Sequence, residues 1–159
     1  MQRHTRYQGA IVRDHHLLLI RHRHHDDGRT YWLAPGGGIE PGESEEDCVR
    51  REMREETGLE VRVERLLVDA ASVPGGVYTW MKTYLCSVVT GEARPGYEPE
   101  EEASSLYAIA EVRWLDLRAP QDWFHLVASD RFTAPLVKRI MAELGYPPPG
   151  SSDPPENPA

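Results

Sequence analysis

Residues 37–59 read GGIEPGESEEDCVRREMREETGL, and this stretch decides the fold. Ser44 precedes Asp47 by three residues, a spacing typical of a capping box at the start of a helix. Gly58 suits the left-handed conformation in which many helices end. The stretch therefore predicts a helix from Glu45 to Thr57.

Three glutamates lie on the apolar side of this predicted helix. At about 100° per residue, Glu55 and Glu56 fall within roughly 60° of Glu52, one on either side. Apolar residues such as Val49 share that arc, and basic residues occupy the opposite side. Like charges four residues apart repel, and a carboxylate near a core is costly without a partner. The pattern therefore favours a bound cation over a solvated helix in which Arg51 merely pairs with Glu55.

A hard divalent cation suits such a site. Mg²⁺ prefers oxygen ligands, binds through a few carboxylates and keeps positions for water and substrate phosphate. The run Ala34-Pro35-Gly36-Gly37-Gly38 precedes the helix, and its glycines let the backbone approach a phosphate or a metal closely. Glycine-rich turns are common, so this run gains its meaning from the helix that follows it.

The same stretch resembles the Nudix box of hydrolases that split nucleoside diphosphates linked to another moiety. Nine positions carry the resemblance, and none departs from the pattern: Gly37, Glu43, Arg51, Glu52, Met53, Glu55, Glu56, Gly58 and Leu59. The resemblance implies an α/β fold, a Nudix-type α/β/α sandwich with a mixed β-sheet between helices. It also implies Mg²⁺-dependent hydrolysis, with Mn²⁺ as the alternative ion, of a pyrophosphate bond in ADP-ribose or a nucleotide sugar.

Roles for individual residues follow from the resemblance. Glu52, Glu55 and Glu56 would bind the metal, with the Gly37 carbonyl as an additional ligand. Glu52 or Glu55 would also orient or deprotonate water, and Arg51 would hold a glutamate in position. Glu43 would be an outer ligand or an orienting partner. The substrate-binding positions on this interpretation are Arg21, Arg23, Gly36, Gly38 and Glu43.

Two other functions stay open at this point. One is the hydrolysis of nucleoside triphosphates or their oxidised forms. The other is a Nudix-fold module that senses a nucleotide without cleaving it, although such a module would be expected to lack one or more of the box glutamates. This chain contains all of them.

The segment Arg21-His22-Arg23-His24-His25-Asp26-Asp27 is rich in histidine. Consecutive histidines match the spacing of metal ligands poorly, and we expect a solvated loop between two strands. The alternative is that Arg21 or Arg23, at the end of a strand, binds substrate phosphate. Arginine suits this role because its planar fork donates two hydrogen bonds at once.

An acidic run precedes the last predicted strand and consists of Glu98, Glu100, Glu101 and Glu102. Such runs are usually solvated. The family resemblance implies that one glutamate in this region acts as a metal ligand or as the catalytic base. Glu101 and Glu102 are the preferred candidates.

Pro74-Gly75 lies fifteen residues beyond the box, a spacing that resembles the branch of the family that hydrolyses ADP-ribose. The same dipeptide is also ordinary hairpin chemistry. Four aromatic residues in predicted strands are candidates for stacking on a base, although strand aromatics are more often core residues. They are Tyr78, Trp80, Tyr84 and Tyr107.

Composition is that of a single intracellular domain. The chain has 159 residues and a net charge of −8, which argues against a nucleic-acid partner. No apolar run is long enough to span a membrane, and we expect a cytoplasmic enzyme with a small nucleotide substrate; a homodimer stays open. Cys48 and Cys86 are expected to be reduced and buried.

Residues 1–145 form the predicted domain, and the Pro-rich residues 146–159 form a tail that we expect to be disordered.

Strand and helix patterns outside the box complete the predicted sandwich. A second helix is predicted from Ala134 to Leu144, because its apolar residues repeat at helical spacing. β-branched and aromatic residues favour strands in six places. These are Gly9 to Val12, Leu17 to Arg21, Tyr31 to Ala34, Val61 to Asp69, Tyr78 to Val89 and Glu111 to Leu115.

Overall fold

The structure is a computed structural model that describes residues 3–97 and 107–150. Within these ranges, seven strands and two α-helices are arranged along the chain. They are β1 (Arg3–Arg13), β2 (His16–His24), β3 (Thr30–Leu33), β4 (Gly36–Gly37), α1 (Glu45–Thr57), β5 (Glu60–Ala71), β6 (Tyr78–Thr90), β7 (Tyr107–Asp116) and α2 (Thr133–Glu143). Two short 3₁₀ turns, Pro120–Asp122 and Phe124–Leu126, lead into α2.

The strands form one mixed sheet with the order β3-β2-β1-β6-β5, in which β4 pairs with β1 and β7 pairs with β2. β1 and β6 are parallel, and the other described pairs are antiparallel. The β1–β2 hairpin turns at Asp14 and His15, whose φ angles of 49° and 64° suit a two-residue hairpin loop.

One helix covers each face of the sheet. Val49 and Met53 of α1 pack with Ile11 and Leu18 in one core cluster. The second cluster joins four apolar residues of α2, Leu136, Val137, Ile140 and Met141, to strand residues that include Leu17 and Leu19. Adjacent leucines of β2 thus serve opposite cores, because successive strand side chains point to opposite faces. The predicted α/β sandwich with a mixed sheet is confirmed.

Helix α1 has the ends that the sequence predicts. The Ser44 hydroxyl accepts a hydrogen bond from the backbone N–H of Asp47 at 3.1 Å. Gly58 adopts φ 74°, and its N–H donates to the carbonyl of Arg54. These two caps satisfy backbone groups that a helix cannot pair internally.

The segment after β6 covers the last turn of α1. Backbone amides of this segment donate to helix carbonyls: Arg94 to Thr57 at 2.9 Å, Gly96 to Glu56 at 2.9 Å and Tyr97 to Glu55 at 3.1 Å. A Cβ atom on Gly96 would lie 1.8 Å from the carbonyl oxygen of Glu55, so the contact requires glycine. The backbone of both glutamates is therefore fixed by a segment distant in sequence.

Several strands are longer than predicted. β1 begins at Arg3 instead of Gly9, β7 begins at Tyr107 instead of Glu111, and β4 was not predicted. The loop predicted for the histidine-rich segment is wrong for its first half, because β2 continues to His24. Pairing with β3 and β7 on both sides provides the hydrogen bonds that hold this polar sequence in a strand. No helix in the described ranges is long and apolar enough to cross a membrane.

Tyr146 lies at the predicted boundary between domain and tail. Its ring packs against the α2-side core, and its hydroxyl lies 2.7 Å from Nδ1 of His15. Its backbone N–H donates to the carbonyl of Met141. Tyr146 thus connects the end of α2 to the β1–β2 hairpin.

We expect deletion of residues 147–159 to lower the melting temperature by less than about 2 °C, because Pro-rich polar sequence buries little apolar area. Deletion of residues 146–159 also removes the Tyr146 contacts and is expected to cost about 1 kcal/mol or more, roughly 3 °C or more. Thermal unfolding of the two truncated chains measures the difference. Equal melting temperatures for both would contradict the assigned role of Tyr146.

Candidate active site

Two glutamates of α1 are buried in the interior of the protein. Glu52 is 3% exposed and Glu56 is 0% exposed, whereas Glu55 is partly exposed. Burial raises the pKa of Glu52, and the nearby charge of Glu56 raises it further. Burial also raises the pKa of Glu56. The alternative of a solvated helix is therefore wrong for these two residues, although the pairing of Arg51 with Glu55 that it assumed is present.

Arg51 forms hydrogen bonds to three carboxylates of the site. Its guanidinium donates to Glu43 Oε2 at 2.8 Å, Glu43 Oε1 at 3.0 Å, Glu52 Oε1 at 3.0 Å, Glu55 Oε2 at 3.1 Å and the Gly38 carbonyl at 3.0 Å. These bonds lower the pKa of Glu43 and raise that of Arg51. One side chain thus orients three glutamates through charge-assisted hydrogen bonds.

Glu56 is held from the opposite side by strands β2 and β4. Its Oε1 accepts a hydrogen bond from the Gly36 N–H at 2.7 Å. Its Oε2 lies 3.8 Å from Nε2 of His22, which is 3% exposed. The positive charge of Arg6 lowers the pKa of both Glu52 and Glu56 and partly opposes the effect of burial. Arg6 donates to the Ala34 carbonyl at 2.9 Å.

The glycine run fits closely between β1 and α1. β4 pairs with β1 through Gly36 and Gly37. A Cβ atom on Gly37 would lie 2.3 Å from Glu52 Oε1, and one on Gly36 would lie 2.3 Å from the Tyr7 carbonyl oxygen. Larger residues would displace Glu52 or separate the strands. The run therefore brings backbone groups up to the carboxylates, and its approach to a phosphate or a metal stays a prediction.

The buried carboxylates offer oxygen atoms that a cation would satisfy. Glu52 Oε2 and Glu56 Oε2 are buried and accept no hydrogen bond. A buried oxygen of this kind needs a donor or a metal to offset its lost hydration. In residues 3–97 and 107–150, no three or more histidine, cysteine, aspartate or glutamate side chains form a group that could hold a metal ion on its own. The two unsatisfied oxygens fit a cation that takes its further ligands from water or substrate.

Arg21 and Arg23, the two arginines of β2 that were predicted to bind phosphate, make no described contact with the glutamates of α1. Arg21 pairs with Glu111 at 3.3 Å, and its guanidinium lies 5.6 Å from the centroid of the Trp32 ring. Arg23 is exposed. Among the described contacts, neither residue reaches the glutamates of α1. Their part in substrate binding stays a prediction.

Two residues of the site, His22 and Arg6, were not predicted from the sequence. A signal for His22 was present, because Leu18, Ile20 and His22 continue one period-two face of β2. Arg6 lies near the N-terminus, and no local pattern marks it. Its position follows from the parallel pairing of β1 with β6, a contact between distant parts of the sequence.

The remaining candidates divide between several locations. Glu98, Glu100, Glu101 and Glu102 lie outside the described residues, and so does the side chain of Tyr107. Tyr84 is a core residue whose hydroxyl donates to Glu45. The Trp80 indole donates to Asp69 at 2.6 Å. Cys48 and Cys86 are free and buried.

A cavity of about 280 Å³ reaches His22, whose Nε2 lies 3.8 Å from Glu56 Oε2, although no glutamate is among the described residues that line it. Arg6 and His22 form the wall next to Glu56, and the turn after β5 and the start of α2 form the far side. Tyr78 contributes an aromatic ring to the lining. The Pro74 carbonyl accepts a hydrogen bond from Arg131, so the Pro74-Gly75 turn is attached to the start of α2.

Residues 3–135 match the family model described as NUDIX domain. A Bacillus subtilis protein described as a putative ADP-ribose pyrophosphatase is 32% identical over 101 residues, which are 60% of this chain and 47% of that protein. A Vibrio vulnificus NAD-capped RNA hydrolase is 35% identical over 95 residues, 59% of this chain and 34% of that protein. The match thus spans half or less of both relatives.

Solved structures show the same fold. A NUDIX hydrolase from Nitrosomonas europaea superposes with a TM-score of 0.67 at 21% identity, covering 90% of this chain and 88% of that one. A UDP-X diphosphatase superposes with a TM-score of 0.64 at 22% identity, covering 91% of this chain and 64% of that one. At these identities the similarity concerns the fold.

We expect Glu56→Gln to raise the melting temperature of the chelator-treated protein at pH 8 by about 3 °C or more, because it removes a buried charge. The amide retains the oxygen that accepts the Gly36 N–H. The folded-state pKa of Glu56 lies above its unfolded value, so the native state binds more protons and stability falls as pH rises through the folded pKa. The gain should therefore shrink at pH 5.

Glu46→Gln is the matched control, because the same change occurs on the exposed side of α1. It should leave the melting temperature nearly unchanged at both pH values. Addition of Mg²⁺ or Mn²⁺ should stabilise the unmodified protein more than Glu56→Gln, since a cation that binds only the native state raises its stability. A Glu56→Gln protein that is less stable at pH 8 would refute this account of the buried carboxylate.

Proposed function

Because this chain belongs to the Nudix family, we propose that it hydrolyses the pyrophosphate bond of a nucleoside diphosphate linked to another moiety, such as ADP-ribose or a nucleotide sugar. The burial of Glu52 and Glu56 carries this proposal. Both have a buried oxygen that accepts no hydrogen bond, and His22, which lies 3.8 Å from Glu56, also lines a cavity large enough for part of a nucleotide. A divalent cation and a substrate phosphate would supply the missing partners.

The names of the two curated relatives agree with a linked diphosphate. One acts, by its name, on ADP-ribose, and the other on NAD-capped RNA. Since both relatives extend well beyond the matched region, their substrates support the class of bond and do not identify the substrate. Neither name refers to a free nucleoside triphosphate.

The residues of the site suit the attack of water on phosphorus. A new P–O bond forms to water, the bond to the bridging oxygen breaks, and the water loses a proton. Glu52, Glu55 and Glu56 are the residues that would hold a divalent cation. Such an ion withdraws charge from the phosphate oxygens and activates water. We assign Mg²⁺ to this place, with Mn²⁺ as the alternative.

Each glutamate has a different environment for its role. Glu55 is more exposed than Glu52, so it is the more accessible of the two for accepting the proton from water. Glu52 and Glu55 each bond Arg51 through one oxygen, which restricts their rotation and leaves the other oxygen available. Arg51 is thus a positioning residue, and Glu43 anchors it.

The charge of the site favours two phosphates over three. Arg51 is occupied by glutamates, and Arg6 donates to Ala34 and Gln8. The described protein groups therefore neutralise little additional negative charge, and bound cations must do most of it. Each further phosphate adds repulsion against the glutamates.

We expect Glu52→Gln and Glu56→Gln to lower kcat by about 10² or more while the fold is retained, because each removes a carboxylate that would hold the cation acting on the reacting phosphate. Release of nucleoside monophosphate from ADP-ribose at saturating Mg²⁺ measures the effect. Glu46→Gln again serves as the control and should keep full activity. Full activity in both site variants would refute the assignment of the active site.

We expect kcat/KM for ADP-ribose to exceed that for dGTP and for 8-oxo-dGTP, because two phosphates demand less neutralisation than three. The comparison is made at saturating Mg²⁺ with purified protein. A triphosphate favoured by about tenfold, or 1.4 kcal/mol, would replace the linked-diphosphate proposal with hydrolysis of nucleoside triphosphates.

A further inference from the structure

The cavity beside the glutamates has the lining of a site for a flat ring. Tyr31, Tyr78 and Phe132 supply aromatic surface, and most of the lining is apolar. Phe132 and Val77 are 42% and 58% exposed, so apolar surface of the lining residues remains in contact with solvent. A heteroaromatic ring bound there would cover part of this surface and stack on the aromatic side chains.

Two contacts hold the far side of the cavity together. Arg131 donates to the Pro74 carbonyl, and the Phe132 ring packs over Gly76, where an added Cβ would lie 3.3 Å from it. The Thr133 hydroxyl donates to the Trp32 carbonyl at 2.6 Å and so fixes α2 to β3. The aromatic lining is therefore attached to the sheet.

His22 connects the cavity to the glutamates of α1. His22 lines it, and Nε2 of this residue lies 3.8 Å from Glu56 Oε2. A volume of about 280 Å³ is close to the lower limit of small-molecule sites, about 300 Å³. The cavity therefore has room for one ring system and not for a complete dinucleotide.

Asp130 is the single carboxylate among the described residues that line the cavity. Its Oδ1 accepts hydrogen bonds from the N–H groups of Phe132 and Thr133, both at 2.8 Å, so the side chain has a fixed orientation. The other oxygen has no hydrogen bond among the described contacts. A carboxylate oxygen accepts hydrogen bonds and repels a carbonyl oxygen.

We propose that this cavity binds the base of the substrate, and that Asp130 selects bases with an exocyclic amino group, namely adenine, cytosine or guanine, over uracil and thymine. An amino group donates to the second Asp130 oxygen. Uracil and thymine present a carbonyl in its place, and repulsion between the carbonyl oxygen and the carboxylate costs affinity. The link to catalysis rests on the proposed function, whereas base selection is a property of the cavity.

CMP and UMP are the matched probes, because they have the same size and differ where an amino group replaces a carbonyl. We expect calorimetric titration of the full chain to show CMP binding about tenfold or more tightly than UMP. AMP should bind at least as tightly as CMP, because a larger ring stacks over more aromatic surface. Equal affinity for CMP and UMP within twofold, or no binding of any of the three at millimolar concentration, would overturn the proposal.

Asp130→Asn tests the residue itself. Asparagine caps helices about as well as aspartate. Its side-chain oxygen would accept the N–H groups of Phe132 and Thr133, as Oδ1 of Asp130 does. Its NH₂ group would then take the position of the second carboxylate oxygen. The CMP/UMP affinity ratio should fall to one or below. Asp122→Asn, an exposed residue on a nearby 3₁₀ turn, is the control and should keep the original ratio. A ratio unchanged by Asp130→Asn would exclude Asp130 as the selecting group.

Phe132→Ala provides a second variant that keeps the Asp130 contacts. It should weaken the binding of CMP and UMP equally and preserve the ratio of their affinities, because it removes stacking surface only.

Hydrolysis assays distinguish the proposed function from base selection by Asp130. A protein that discriminates CMP from UMP through Asp130 but cleaves no linked diphosphate would refute the proposed function alone. A protein that cleaves ADP-ribose and UDP-glucose with ratios independent of Asp130 would refute base selection alone.

Discussion

The site depends on the burial of two like charges on one helix. Glu52 and Glu56 lie four residues apart, and α1 packs them against the sheet so that both side chains are buried. Their mutual repulsion and their lost hydration both oppose folding. The surrounding residues reduce this cost: Arg51 binds Glu52, the Gly36 N–H binds Glu56, and Arg6 acts electrostatically on both.

This constraint explains why so many distant segments meet at α1. β4 is only two residues long, yet it brings a backbone N–H to Glu56 and leaves no room for a side chain beside Glu52. The segment 94–97 bonds the carbonyls at the end of α1 and fixes the backbone of Glu55 and Glu56. A rigid backbone keeps the carboxylates in the geometry that a cation and a phosphate require.

The site and the adjacent cavity are formed mainly by different secondary-structure elements. Carboxylates, arginine and glycine backbone form the part that suits a diphosphate, and they come from α1, β1 and β4. The cavity is lined by residues of the turn after β5 and the start of α2, together with side chains from β1, β2, β3 and β6. Arg6 and His22 belong to both parts, because they line the cavity and act on the glutamates. The residues of the turn and of α2 can change the choice of substrate while the glutamates stay the same.

The sequence by itself determined the helix Glu45–Thr57, its two caps and the arc of its glutamates, because these depend on contacts within a few residues. It also determined the fold class, since the strand and helix periods are local. Tertiary structure alone decided the places of Arg6 and Asp130. Arg6 depends on the parallel pairing of β1 with β6, and Asp130 meets the cavity only because α2 packs on the sheet. Contacts between residues far apart in the chain leave no periodic signal in the sequence.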